Sequence, residues 1–148
     1  MNRVRPIHAL RSARAGGAGD RRGNALVEFA LLLPVLALLL MGMLGYGQYF
    51  LLAHNAQQLA NDAARASIAG MTASERAMLA NESVTTGAAS TGGVAANRVS
   101  SSITETGTRV TVEVVVDASD VALLQVPVIP FPDRLIRRRA VAHRAGLL

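Results

Sequence analysis

A long apolar run without charge restricts most strongly what this chain can fold into. Between Phe29 and Asn61 the sequence contains no Asp, Glu, Lys or Arg. Its most apolar part, residues 25–45, would extend roughly 30 Å as an α-helix, which matches the hydrocarbon thickness of a bilayer. The run therefore predicts a single membrane-spanning helix near the N-terminus.

A cleaved secretory signal and a plain uncleaved anchor would each contain an apolar run as well. A secretory signal normally has an apolar region of only about 7 to 15 residues followed by a small-residue cleavage site. Here the run is longer, and it continues into sequence that is still compatible with a helix. The uncleaved anchor is the more serious alternative, and the residues alone leave it open.

The positive charge of the chain lies ahead of the apolar run. Residues 1–23 contain six arginines and one acid, which accounts for the whole net charge of +5. Arg21 and Arg22 directly precede the run, so the positive-inside rule places the N-terminus in the cytoplasm and the bulk of the chain outside. A nucleic-acid-binding domain would carry its positive charge on the folded part, so we do not expect a nucleic-acid partner.

The helix is expected to continue beyond the membrane as an amphipathic segment that ends near Gly70. Small apolar residues recur there at steps of three and four, which is the helical period. They are Leu52, Ala56, Leu59, Ala63 and Ala66. We interpret this stripe as packing on the chain's own domain; a helix of another subunit is the alternative. Gly42, Gly45 and Gly47 offer small surfaces for close helix approach, and Pro34 could kink the helix.

The remaining sequence predicts a short helix followed by strands. Thr72 and Glu75 form a capping-box pattern, which predicts the start of a helix. Gly87 is expected to end this helix. Alternating residues then predict a hairpin over Val99–Ile103 and Val110–Val116, turning at "ETGT". "LLQVPVIPFP" is expected to be a loop because its prolines interrupt any strand. For the last segment we prefer a strand, with Ile136, Ala140 and Ala142 on one face, over a short helix. The fold class is therefore α+β, with about three antiparallel strands.

Residues for chemistry are few. Cysteine is absent, and His8, His54 and His143 are far apart and lack nearby ligands at metal-binding spacing. No phosphate-binding loop or nucleophile motif occurs. We therefore predict no enzyme, metal, cofactor or small-molecule substrate. Arg137–Arg139 is interpreted as a solvated strand edge that discourages aggregation, with an acidic partner surface as the alternative.

One acid, Glu28, stands near the start of the apolar run, in the stretch "RRGNALVEFALLLPVLALLLMGMLGYGQYF". Together with the following "AQQLANDAARAS", this stretch resembles the TadE-like proteins, minor pilins or pseudopilins of the tight-adherence (Flp) type IV pilus machinery. The similarity rests on Gly23, residues 25–34, Gly42, and a Q-x5-AAR run that ends at Arg65.

The resemblance implies that the chain is a prepilin. A membrane prepilin peptidase would remove the basic leader by cutting between Gly23 and Asn24, which would leave Glu28 and Phe29 at the fifth and sixth mature positions. The new amine on Asn24 would lie about 6 Å along the helix from Glu28. Glu28 of an incoming subunit could then pair with the amine of a neighbour and set the axial register. Alternatively, Glu28 is only favoured by the helix dipole and reaches the interface.

The sequence thus predicts four segments. They are a cytoplasmic leader (1–23), a transmembrane helix (24–46), its amphipathic continuation (47–70), and a small extracytoplasmic domain (71–148). The expected function is that of a minor pilin-like subunit of a tight-adherence pilus or related secretion apparatus in the bacterial inner membrane. Its partners would be the cytoplasmic membrane, the prepilin peptidase, other pilin-like subunits and the assembly platform. The alternative is an uncleaved single-pass anchor that presents a periplasmic interaction module.

Overall fold

A computed structural model describes residues 18–90 and 95–144, with side chains from residue 23 onward. His8 lies outside the described residues. The elements in chain order are α1 (Ala18–Ser67), α2 (Ala73–Ser90), β1 (Val99–Thr106), β2 (Arg109–Asp117) and β3 (Leu135–His143). A long apolar helix, a second helix and an antiparallel sheet confirm the predicted α+β class.

The chain divides into two compact units, Met1–Ala37 and Leu38–Leu148. The described part of the first unit is the beginning of α1, whose apolar side chains are exposed. Among the described residues, one helix, over Gly23–Ser67, is long and apolar enough to cross a membrane. This helix is compatible with a single-pass anchor.

In the second unit, the far end of α1 packs on the sheet and on α2. Leu52, Ala56, Leu59 and Ala63 are buried, and Ala66 is half-buried. This confirms that the stripe packs on the chain's own domain. The buried alanines of the helix and the branched side chains of Val110, Val112, Val114 and Ile136 belong to one core, in which the branched side chains fill the sheet side. The helix ends at Ser67, whose hydroxyl donates to the Ala64 carbonyl at 2.7 Å.

The predicted start of α2 is confirmed, but its predicted end is wrong. Thr72 Oγ1 accepts the Glu75 amide at 3.2 Å, and Glu75 Oε2 accepts the Met71 amide at 2.9 Å. The helix then runs through Gly87 to Ser90. Gly87 faces Leu59 of α1, and a Cβ at this position would overlap Leu59 Cδ2. This glycine therefore permits close packing of two helices and does not end one.

The sheet has the strand order β1-β2-β3, and both pairs are antiparallel. β1 and β2 form the predicted hairpin, whose turn contains Gly107 at φ +60°. Val112 lies between Ile103 and Ala140 in the register, so one face carries the alternating valines into the core. β3 confirms the strand interpretation of the last segment, because Ile136, Ala140 and Ala142 are buried on one face.

The segment between β2 and β3 is the predicted loop. A single 3-10 turn, Ala122–Leu124, precedes a proline-rich stretch that returns to α1. There, the Phe131 ring lies beside the Tyr46 ring with a centroid distance of 5.2 Å. The Tyr46 hydroxyl donates to the Pro130 carbonyl at 2.5 Å. The loop is therefore fixed to α1 at the Tyr46 position.

Candidate functional site

The sequence-predicted site lies on the exposed surface of the first unit. Asn24 and Glu28 are one helical turn apart on α1, and Asn24 Nδ2 donates to Glu28 Oε1 at 3.1 Å. An i,i+4 pair of this kind contributes only about 0.2–0.5 kcal/mol to a helix. Within the part of the chain whose side chains are described, the carboxylate thus accepts from a neutral amide, and that amide does not compensate its charge.

Gly23 occupies a helical position for which the described structure gives no packing reason. Apart from its own helical neighbourhood, no described atom lies within 4 Å of the point where a Cβ would be. A glycine inside a helix costs roughly 0.8–1.0 kcal/mol relative to alanine. The cost of Gly23 is therefore not offset by close packing among the described residues.

The side chains around Asn24 and Glu28 form an apolar surface. Phe29 is 58% exposed, and the preceding Leu26 and Val27 are exposed as well. Arg21 and Arg22 lie within α1, but their side chains are outside the described part. Such an arrangement can bind lipid or an apolar helix, and it places a single carboxylate within that surface.

The described residues do not form a metal site or a convergent catalytic set. No group of three or more His, Cys, Asp or Glu residues able to hold a metal ion is found among them. His54 is exposed and contacts Gln58 at 2.9 Å, while His143 is exposed at the end of β3. Arg137 and Arg139 pair with Glu113 across the outer sheet face, where such exposed pairs contribute little.

A buried ion pair escaped the sequence analysis. Arg76 on α2 is only 5% exposed, and it contacts both carboxylate oxygens of Glu105 on β1 at 2.8 and 2.9 Å. Its Nη1 also donates to the carbonyls of Gly70 and Met71. The hydrogen bond from Arg76 holds the pKa of the Glu105 carboxyl below its ordinary value. The available signal was the alternation of β1, which places Glu105 on the same face as Ile103.

A second charged cluster joins the start of β1 to the end of β2. Arg98 Nη1 contacts Asp117 at 2.9 Å and Ser119 Oγ at 3.1 Å, and its Nη2 contacts Asp120. Hydrogen bonds from Ser119, and then the Arg98 charge, hold the pKa of Asp117 below its ordinary value. These contacts fix the strand ends and the entry to the proline-rich loop.

The helix, the sheet and the exposed N-terminal site define a protein with one membrane-compatible helix and a small α+β domain. Residues 23–65 match the sequence model of a family described as TadE-like protein. This match covers less than a third of the chain, and it confirms the resemblance inferred from Gly23, residues 25–34 and Arg65. Proteins of that family are structural or assembly components of the pilus, and the family is not known as an enzyme family. No curated protein and no solved structure matches the chain.

Proposed function

We propose that this chain is a minor pilin-like subunit for assembly of a tight-adherence (Flp type IV) pilus or a related secretion apparatus. The leader, residues 1–23, lies in the cytoplasm, and residues 24–46 cross the inner membrane. Residues 47–70 continue the helix into a domain, residues 71–148, on the outer side. The family match over residues 23–65 carries this proposal, because it includes the whole processing region.

The helical position of Gly23, which has no described packing partner, supports processing by a prepilin peptidase between Gly23 and Asn24. A glycine that weakens the helix without improving its packing serves another purpose, and recognition by a peptidase is such a purpose. The bond to be cut lies within α1, so the enzyme must locally unwind the helix to reach it. Gly23 lowers the free energy needed for this unwinding.

The geometry of Glu28 supports a role in assembly. A carboxylate in the membrane costs several kcal/mol unless it has a charged partner or reaches water. The neutral Asn24 amide does not neutralise it, whereas the amine created on Asn24 by cleavage would be positively charged. In the monomer that amine lies about 6 Å away along the helix. A neighbouring subunit can bring its own amine closer, so pairing between subunits would set their axial register.

The second unit supplies the part that other pilus components would contact. Its buried core joins α1, α2 and the sheet, so the domain is built directly on the extension of the anchor helix. The chain needs no cofactor or small-molecule substrate for such a role. Its partners would be other pilin-like subunits and the assembly platform in the inner membrane.

The decisive experiment identifies the N-terminal residue of the full chain recovered from membranes of cells with and without the cognate prepilin peptidase. We expect a chain that begins at Asn24 only when the peptidase is present. A Gly23→Leu variant should remain unprocessed, while Gly42→Leu, at another open glycine of α1, should be cut normally.

An intact N-terminus in both strains would overturn the processing step. The chain would then be a permanent single-pass anchor that presents its domain as an interaction module. In that case Glu28 would be an interfacial acid stabilised by the helix dipole.

A further inference from the structure

The proline-rich loop between β2 and β3 has the composition of a membrane-binding segment. Residues 126–132, "VPVIPFP", contain no polar or charged side chain, and three of the seven are proline. Val128 is 69% exposed, Pro127 and Pro130 are exposed, and Ile129 is half-buried. A continuous apolar segment with several exposed residues usually marks a binding surface.

The backbone of this loop is also suited to a medium that is poor in water. Proline has no N–H group to satisfy, and the Ile129 amide donates to the Val126 carbonyl at 3.2 Å. The Pro130 carbonyl accepts the Tyr46 hydroxyl. Because unsatisfied backbone groups are what oppose entry of a loop into lipid, these features lower the cost of entry.

The position of the loop on α1 points to lipid as the occupant. Phe131 packs against Gly45 and Tyr46, and the helix residues just before this point are exposed and apolar. These residues are Leu38, Leu39, Leu40, Met41, Met43 and Leu44. Tyrosine prefers the headgroup level of a membrane. The loop is therefore held beside the end of the apolar stretch, where a bilayer surface would lie.

We infer that residues 126–131 insert into the outer headgroup and acyl boundary of the bilayer as a second contact beside the helix. This inference rests on the membrane-spanning helix of the proposed function, but not on cleavage of the leader. The loop would hold the domain against the membrane surface before the subunit is extracted into a fibre. Its ligand is a phospholipid surface and not a specific headgroup.

The chain contains no tryptophan, so a single Trp reports on one position without background. Full-length Val128→Trp is reconstituted in phospholipid nanodiscs, with and without brominated acyl chains. Leu39→Trp reports the span itself. Met71→Trp is the matched exposed apolar control. Since α1 extends about 32 Å from Tyr46 to Ser67 and Met71 follows it, this position should lie far from the bilayer. We expect blue-shifted, bromine-quenched emission from Val128→Trp and Leu39→Trp, and unquenched emission from Met71→Trp.

Two other results would overturn the inference in distinguishable ways. Quenching of Leu39→Trp without quenching of Val128→Trp would leave the span intact and show that water or a second copy covers the loop. Absence of quenching at both positions would remove the span together with the loop contact. A nitroxide on Val128→Cys, in this cysteine-free chain, gives an independent readout through its accessibility to oxygen and to polar relaxants.

Discussion

Arg76 and Glu105 form a two-bond ion pair that joins the start of α2 to the end of β1. Nε and Nη2 of the guanidinium contact the two carboxylate oxygens at 2.8 and 2.9 Å. The same guanidinium bonds the Gly70 and Met71 carbonyls, so it also fixes the turn between the helices. One side chain therefore connects α2, the sheet and the turn that follows α1.

This pair should make the stability of the domain sensitive to acid. The pKa of Glu105 is lowered in the folded chain from an ordinary value near 4.5, mainly by the hydrogen bond from Arg76. Its contribution is therefore present above that value and is lost as the pH falls through the lower native pKa. We expect the midpoint temperature of wild-type unfolding, measured by circular dichroism in nanodiscs, to fall more steeply with acid than that of Glu105→Gln.

The comparison with Glu105→Gln isolates this group, because the lowered pKa of Asp117 acts in the same direction in both proteins. Glu82→Gln removes an exposed carboxylate from α2 and serves as the matched control. It should follow the wild-type pH profile. Parallel profiles for wild type and Glu105→Gln would contradict the assignment.

Replacement of Gly107 in the hairpin turn by a residue with a side chain should destabilise the domain. Its φ of +60° lies in the left-handed region, which costs an L-residue about 1–2 kcal/mol. Gly107→Ala should lower the free energy of unfolding by about that amount, and Gly107→Asn by less because asparagine tolerates this region. Urea titration of the full chain in detergent measures both. Thr108→Ala, in the same turn, is the control, and an equal loss from it would refute the argument.

Sequence patterns predicted the sheet well because burial on one face imposes a period of two. The alternating valines of β2 and the set Ile136, Ala140 and Ala142 face the core as expected. The valines in question are Val110, Val112, Val114 and Val116. The stripe on α1 was equally readable, since small residues at helical spacing need a surface to pack against. The candidate site at Gly23–Phe29 came from the resemblance to the TadE-like proteins, and it stays a prediction.

Contacts between distant residues were not readable from local patterns. Arg76 and Glu105 are 29 residues apart, and nothing near Arg76 in sequence shows that β1 will lie beside α2. Gly87 was predicted to end α2 because the sequence around it gives no other reason for a glycine. Its actual reason is contact with Leu59, which belongs to another helix. Gly42, Gly45 and Gly47 could not be distinguished by the sequence for the same reason. Among these three, only Gly45 has a described atom of another segment within 4 Å of the point where a Cβ would be.

Gly45 should therefore respond to substitution unlike Gly42 and Gly47. A Cβ at Gly45 would lie 2.7 Å from Phe131 Cε1 and 3.1 Å from the Leu123 carbonyl oxygen. Gly45→Leu should displace the loop and cost about 1–3 kcal/mol of unfolding free energy. Hydrogen exchange of the Ile129 amide, which donates to the Val126 carbonyl, should accelerate. A Cβ at Gly42 or Gly47 would have no described atom within 4 Å outside its own helical neighbourhood. The better helix propensity of Gly42→Leu and Gly47→Leu should therefore leave stability unchanged or raised. A similar loss in all three variants would contradict this packing role.

The proposed register pair predicts that the charge of Glu28, and not its hydrogen bond to Asn24, controls assembly. Glu28→Gln keeps an acceptor for the Asn24 amide but removes the charge, so it should be processed normally yet join other subunits poorly. Loss of one partner of a desolvated pair costs about 3–5 kcal/mol, or roughly 100-fold or more in association. Recovery of the mature chain with sheared pili or cross-linked partner subunits measures this loss.

Asn24→Ala provides the matched control for the Glu28 prediction. It removes the 3.1 Å side-chain bond to Glu28 but leaves the backbone amine that cleavage would create. Assembly should therefore survive in Asn24→Ala and fail in Glu28→Gln. The reverse pattern would show that the local hydrogen bond matters and the charge does not, because Glu and Gln share an acceptor oxygen but not the charge. Normal assembly of both variants would instead assign Glu28 to the helix dipole and the interface.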